Sequence, residues 1–120
     1  LIINDYIFGV DSYGELRCLD LYTGDRIWED QTAVNRDRWA NIHFVRNGEL
    51  IYMFNEHGEL ITANLDESGY HEISRAKLIE PTTVQLNRRG VGVTWAHPGF
   101  AYKHVFIRSD KELVCADLSE

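Results

Sequence analysis

One pattern written three times constrains this chain more than any other feature. Residues 6–21 (YIFGVDSYGELRCLDL) lie over residues 50–65 (LIYMFNEHGELITANL) position by position when Ile7 is set over Ile51. Residues 104–118 (HVFIRSDKELVCADL) join without a gap when Leu113 is set over Leu60. Glu15-Leu16, Glu59-Leu60 and Glu112-Leu113 then become equivalent, 44 and 53 residues apart. A repeat of roughly 20 to 50 residues marks a stacked array, in which no unit buries its apolar face without a neighbour. A shorter echo, Trp39-Ala40-Asn41 and Trp95-Ala96-His97, precedes the second and third copies.

Each copy reads as strand, tight turn, strand. Residues 6–10 are aromatic and β-branched, residues 11–14 are a turn cluster, and residues 15–21 return. Residues 26–29 add a third strand, and the polar run 30–38 is a surface connection. In the second copy, residues 39–45, 50–54, 59–65 and 70–73 make a four-stranded meander whose first hairpin turns at Asn47-Gly48. Residues 74–80 alternate poorly, and Leu78-Ile79 either extends the fourth strand or sits under the loop. Residues 81–93, with Asn87, Arg88, Arg89, Gly90 and Gly92, form a long connection to Trp95. Residues 95–102 are strand-like but interrupted by Pro98-Gly99, and residues 104–107 and 112–118 make the last hairpin.

The expected fold class is therefore all-β: antiparallel four-stranded blades of a partial β-propeller. The count is the last three strands of one blade, a full blade and the first three strands of another. The fold expected is an open arc of about 2.7 blades, against the four or more a closed propeller needs. The blade pieces are residues 1–30, 39–80 and 94–120 of one propeller domain. The rest of that propeller is the first expected partner.

Charge narrows the function classes. Nineteen Asp and Glu against twelve Lys and Arg give a net charge of −7, which opposes a general attraction to nucleic acid or anionic lipid. No apolar run approaches the roughly 20 residues of a membrane-spanning helix, so membrane insertion is not expected. The first residue is Leu1 and no basic n-region precedes the first strand, so any targeting segment is expected to have been removed or omitted.

Cys18, Asp20, Thr23, Gly24 and Trp28 stand in the order of A-x-D-x-x-T-G-x-x-x-W, with Cys18 in the small-residue place. Asp20 and Thr23 can accept from turn N–H groups, and Gly24 supplies a positive φ. The segment resembles the pyrroloquinoline-quinone-like (quinoprotein-like) β-propeller repeat. The resemblance implies that Asp20, Thr23, Gly24 and Trp28 form a blade-docking motif, with Trp28 packed on the neighbouring blade and mostly buried. It implies about eight blades in the parent and an exported, periplasmic bacterial protein. It also brings in two functions. One is a noncatalytic scaffold for protein interaction or ligand binding, displaying loops such as residues 30–38 and 81–94. The alternative is a fragment of a pyrroloquinoline-quinone-dependent dehydrogenase, which would use that quinone and calcium. The vicinal cysteine pair of such enzymes is absent, because Cys18 and Cys115 lie 97 positions apart.

Individual residues add little chemistry. Cys18 and Cys115 occupy one repeat position, two blades apart, and read as structural thiols rather than a bridge. Asp11, Asp20 and Asp117 sit where turn capping is the plain role. His43, His57, His71, His97 and His104 show no metal-ligand spacing, and His57 falls in a turn open to solvent. No catalytic residue is identified, and neither cofactor nor metal is expected outside the dehydrogenase reading. Trp39, Asn41, Trp95 and His97 remain as a possible ligand site at the rim of a central channel. Against that stands a structural reading, in which the tryptophans wedge between blades and Asn41 and His97 bond to backbone.

Overall fold

The computed structural model describes residues 1–85 and 92–119, and among these there is no helix. The expected connection residues Asn87, Arg88, Arg89 and Gly90 lie outside the described residues. Strands β1 (Ile2–Ile3), β2 (Tyr6–Val10), β3 (Leu16–Asp20) and β4 (Arg26–Asp30) form the first antiparallel sheet in sequence order. Strands β5 (Ile42–Asn47), β6 (Leu50–Asn55), β7 (Glu59–Asp66) and β8 (Gly69–Lys77) form the second. A ribbon of β9 (Thr83–Val84) and β10 (Gly92–Val93) precedes the third sheet, β11 (Gly99–Ala101), β12 (His104–Arg108) and β13 (Leu113–Asp117). These are successive blades of an open arc.

Register corrects the sequence reading in several places. The first blade has four strands, because Ile2 and Ile3 pair with Ile7 and Tyr6; a two-residue strand leaves too little alternation to be seen. Phe8 pairs with Cys18, Tyr52 with Thr62, and Phe106 with Cys115. The third copy is therefore one residue shorter in its turn, and joining it without a gap is wrong. Strand β8 runs on to Lys77, and Ile79 is buried beneath the next blade beside Phe54 and Leu60. The third blade's first strand begins only at Gly99, so the expected strand over residues 95–102 is confined to its last part.

Both outer hairpins carry a bulge at the same place. Cys18 pairs with Trp28 but Leu19 with Arg26, and Thr62 pairs with Ser74 but Ala63 with Glu72. Ile27 and Ile73 are thus the extra residues, and they are 45% and 57% exposed. The counterpart of Trp28 is Ser74, whereas the 44-residue repeat spacing alone would set Glu72 there.

Strand alternation gives each blade two apolar faces, and the blades stack through them. Phe8, Leu16 and Cys18 of the first blade meet Ile51, Met53, Ile61 and Ala63 of the second. Phe54 and Leu60 on the other face of the second blade meet Val105 and Ile107 of the third. The third blade's equivalent outer face is bare, as Leu16 is 0% exposed, Leu60 6% and Leu113 71%.

Candidate functional site

The docking segment is built by its turn. Asp20 Oδ1 accepts from the N–H groups of Tyr22 (2.9 Å) and Thr23 (2.8 Å), and Thr23 Oγ1 accepts from Asp25 N–H (3.2 Å). These donors, Thr23 first and then Tyr22, hold the Asp20 carboxyl below its ordinary value. Gly24 has φ +75°. The bulge at Ile27 then turns Trp28 toward the second blade. Its Nε1–H donates to the Asp66 carbonyl at 2.7 Å, and its ring lies 5.9 Å from that of Phe8. Trp28 is partly buried and packs against the core between the first and second blades.

Two residues that sequence reasoning missed complete this seam. Asn55 is fully buried; its Oδ1 caps the turn at His57 and Glu59, while its Nδ2 donates across the seam to Ala33 O at 3.1 Å. Arg75 donates to Thr32 O (2.9 Å), Glu59 (2.9 Å) and Glu72 (2.8 Å). Burial pushes the Glu59 carboxyl up, but Asn55 and Arg75 more than offset this and hold it below its ordinary value. Asn55 looked like a plain turn residue because it occupies the Asp11 position. Arg75 lay in the stretch without alternation. The other expected caps are in place, with Asp11 on Tyr13 and Glu15 N–H, and Asp117 on Ser119 N–H.

The four rim candidates do not form one site. Blade connections and the turns between second and third strands share one end of the arc. There Asn41 and Trp95 meet on Glu56, a residue 1% exposed. Trp95 Nε1–H donates to Glu56 Oε2 (2.9 Å), Glu56 N–H to Asn41 O (3.1 Å) and Thr94 N–H to Glu56 O (2.7 Å). Asn41 Oδ1, Thr94 Oγ1 and His57 Nε2 are buried beside it with no hydrogen-bond partner among the described residues. His57 Nε2 lies 3.9 Å from Glu56 Oε1, so this histidine is not the solvated turn residue that was expected. Such a carboxylate, held by an indole and flanked by an imidazole, pins the second blade to the third.

Trp39 and His97 stand apart from that cluster. Trp39 N–H donates to Ser12 O, the repeat counterpart of Glu56, whose own carbonyl takes Thr94. The two Trp-Ala segments are therefore not equivalent. Trp39 has φ +62°, is 38% exposed, and carries the Arg38 guanidinium 4.3 Å above its ring. Counting back from the hairpin register, His97 takes the place of His43, and the two rings lie 4.7 Å apart at 55°. His97 Nδ1 donates to Pro98 O (2.7 Å). His43 Nε2 donates to Trp95 O (3.0 Å), and burial holds its imidazole below the ordinary value. Cys18 is buried, Cys115 is exposed, and neither is bridged.

No protein-family model matches the chain, and no curated protein matches it in sequence. In three dimensions it is similar to the crystal structure of BamB from Moraxella catarrhalis, with a TM-score of 0.57 over 95% of this chain at 17% identity. The chain is part of a β-propeller. It spans 30% of the length of that protein. At this identity the likeness speaks for the fold alone.

Proposed function

We propose that the chain is a noncatalytic segment of a pyrroloquinoline-quinone-like repeat propeller that displays its blade connections to a protein partner. The observation that carries this is the connection between the first and second blades. Ala33 and Val34 root it in the core at 0% and 1% exposure, while Asn35, Arg36, Arg38 and Trp39 stay exposed. A loop anchored at its base loses little entropy on binding, and Arg and Trp are both enriched among the residues that dominate protein interfaces. The repeat type is supported by the Asp20 to Trp28 motif and by the bond from Trp28 to the second blade. Export to a periplasm rests on that same repeat resemblance.

The test places a photo-crosslinking amino acid at Asn35 in the full natural chain, in its own cell. One protein should be captured, and Trp39→Ala should abolish capture while the melting curve stays unchanged. Loss of folding in Trp39→Ala would give this residue back to the structure. Dye-coupled oxidation of an alcohol or sugar, appearing on addition of pyrroloquinoline quinone and calcium, would overturn the noncatalytic reading in favour of a dehydrogenase.

A further inference from the structure

A second candidate surface lies at the opposite end of the arc, where the first hairpins of the second and third blades stand side by side. Between them is a groove of about 710 Å³, within the range typical of ligand sites. Its floor is the Tyr52 ring stacked on Phe100, centroids 5.1 Å apart and planes at 5°. Arg46 on one hairpin and Lys103 on the other line its walls, and no carboxylate does among the described residues. That inverts the balance of a chain carrying −7.

Neither Arg46 nor Lys103 has a carboxylate within ion-pair distance among the described residues, whereas Arg17, Arg26 and Arg75 all do. Arg46 Nε is held on Gly48 O at 3.0 Å, which fixes the direction of the side chain. His104 faces Asp117 across the β12–β13 pair, so the excess charge rests on the other two.

The turn that presents Lys103 is itself unusual. Tyr102 and Lys103 have φ +50° and +61°, the left-handed region at both central positions of a two-residue hairpin. The matching turn of the second blade spends a glycine there, Gly48 at φ +64°. The third blade instead places bulky side chains in that conformation and leaves Tyr102 95% exposed. Left-handed backbone at non-glycine residues is a cost that recurs at ligand clamps.

We propose that this groove binds a short acidic peptide segment bearing one aromatic side chain. The ring lies along the Tyr52 and Phe100 stack under Tyr102, and the flanking carboxylates meet Arg46 and Lys103. Charge complementarity selects the acidic segment, and the aromatic floor selects its anchor. The groove and the blade connections are at opposite ends, so this proposal stands or falls apart from the loop-display reading.

The probe is a fluorescein-labelled pentapeptide, Asp-Asp-Phe-Glu-Asp, titrated by anisotropy with the full natural chain at low salt. Lys103→Glu should weaken binding by at least about tenfold and Tyr102→Ser by about fivefold, as expected for residues at the centre of an interface. Tyr102 is too exposed for its loss to act by unfolding. The amide version of the peptide, Asn-Asn-Phe-Gln-Asn, should bind at least about tenfold more weakly, and salt should weaken the acidic peptide. Equal affinity for the two peptides, or an unchanged affinity in Lys103→Glu, would overturn the proposal. So would binding to phosphatidylglycerol vesicles in place of the peptide.

Discussion

Trp28 makes one hydrogen bond to the second blade and one ring contact within its own, and the two contributions are separable. Trp28→Phe keeps most of the contact with Phe8 but leaves the Asp66 carbonyl without its indole partner. It should cost about 1 kcal/mol. Trp28→Ala removes both and should cost about 3 kcal/mol, the low end for a tryptophan because the ring is half-buried. Urea unfolding midpoints measure both, and equal losses in the two variants would show that the ring contact contributes nothing. His43 gives a second test at this scale. Its folded imidazole titrates below the ordinary value of 6.5, so the unfolded chain binds the proton more readily. Stability should therefore be flat above about pH 6.5 and fall as the pH drops through the lowered folded value. His43→Gln should flatten that slope between pH 7.5 and 5.5, and an unchanged slope would place its origin elsewhere.

Among the elements, the turns between second and third strands decide how closely each blade connection packs. Gly58, at φ +78°, lies so near the following connection that a Cβ there would fall 2.0 Å from Ile79 O. That approach lets Gly58 O accept from Leu78 and Ile79 N–H at 2.9 and 3.3 Å, seating Ile79 in the second seam. Gly58→Ala should cost clearly more than about 1 kcal/mol, since backbone cannot give way as a side chain would. Gly24→Ala meets nothing within 4 Å and should cost only the left-handed conformation, about 1 kcal/mol. The order of the two thermal melts checks this, and the reverse order would refute the packing account. Bulges at Ile27 and Ile73 act at the same scale. They could not be counted from the sequence because the second hairpin is two residues longer, and that hid Ser74 as the partner position of Trp28.

For the whole molecule, the third blade's bare face is the controlling feature. Phe106, Leu113 and Cys115 occupy the places that Phe8, Leu16 and Cys18 fill in a closed seam. Phe106 is 38% exposed where Phe8 is 1%. Uncovered sheet faces and edges drive association. The 120-residue chain alone should therefore self-associate with rising concentration in sedimentation velocity, and should unfold at low denaturant. Phe106→Lys with Leu113→Lys should reduce the association and leave the circular dichroism unchanged. A chain that stays monomeric at every concentration would contradict the bare-face argument.

The repeat of Glu15-Leu16, Glu59-Leu60 and Glu112-Leu113, and the turn chemistry around Asp20 and Gly24, were enough to determine blades and their order. Those features are local: alternation sets faces, and turn residues set hairpins. Sequence could not decide which side chains meet across a seam. Asn55 reaching Ala33, Arg75 reaching Thr32, and Glu56 gathering Asn41, Thr94 and Trp95 depend on how one blade sits against the next. That placement is set by face-to-face packing of Phe8, Leu16 and Cys18 on Ile51, Met53 and Ile61 in the first seam and of Phe54 and Leu60 on Val105 and Ile107 in the second, an arrangement no single repeat contains. The same packing split the apparent pair of Trp39 and Trp95. A one-residue difference in a turn moves a side chain to another neighbour, and only the stacked blades reveal which.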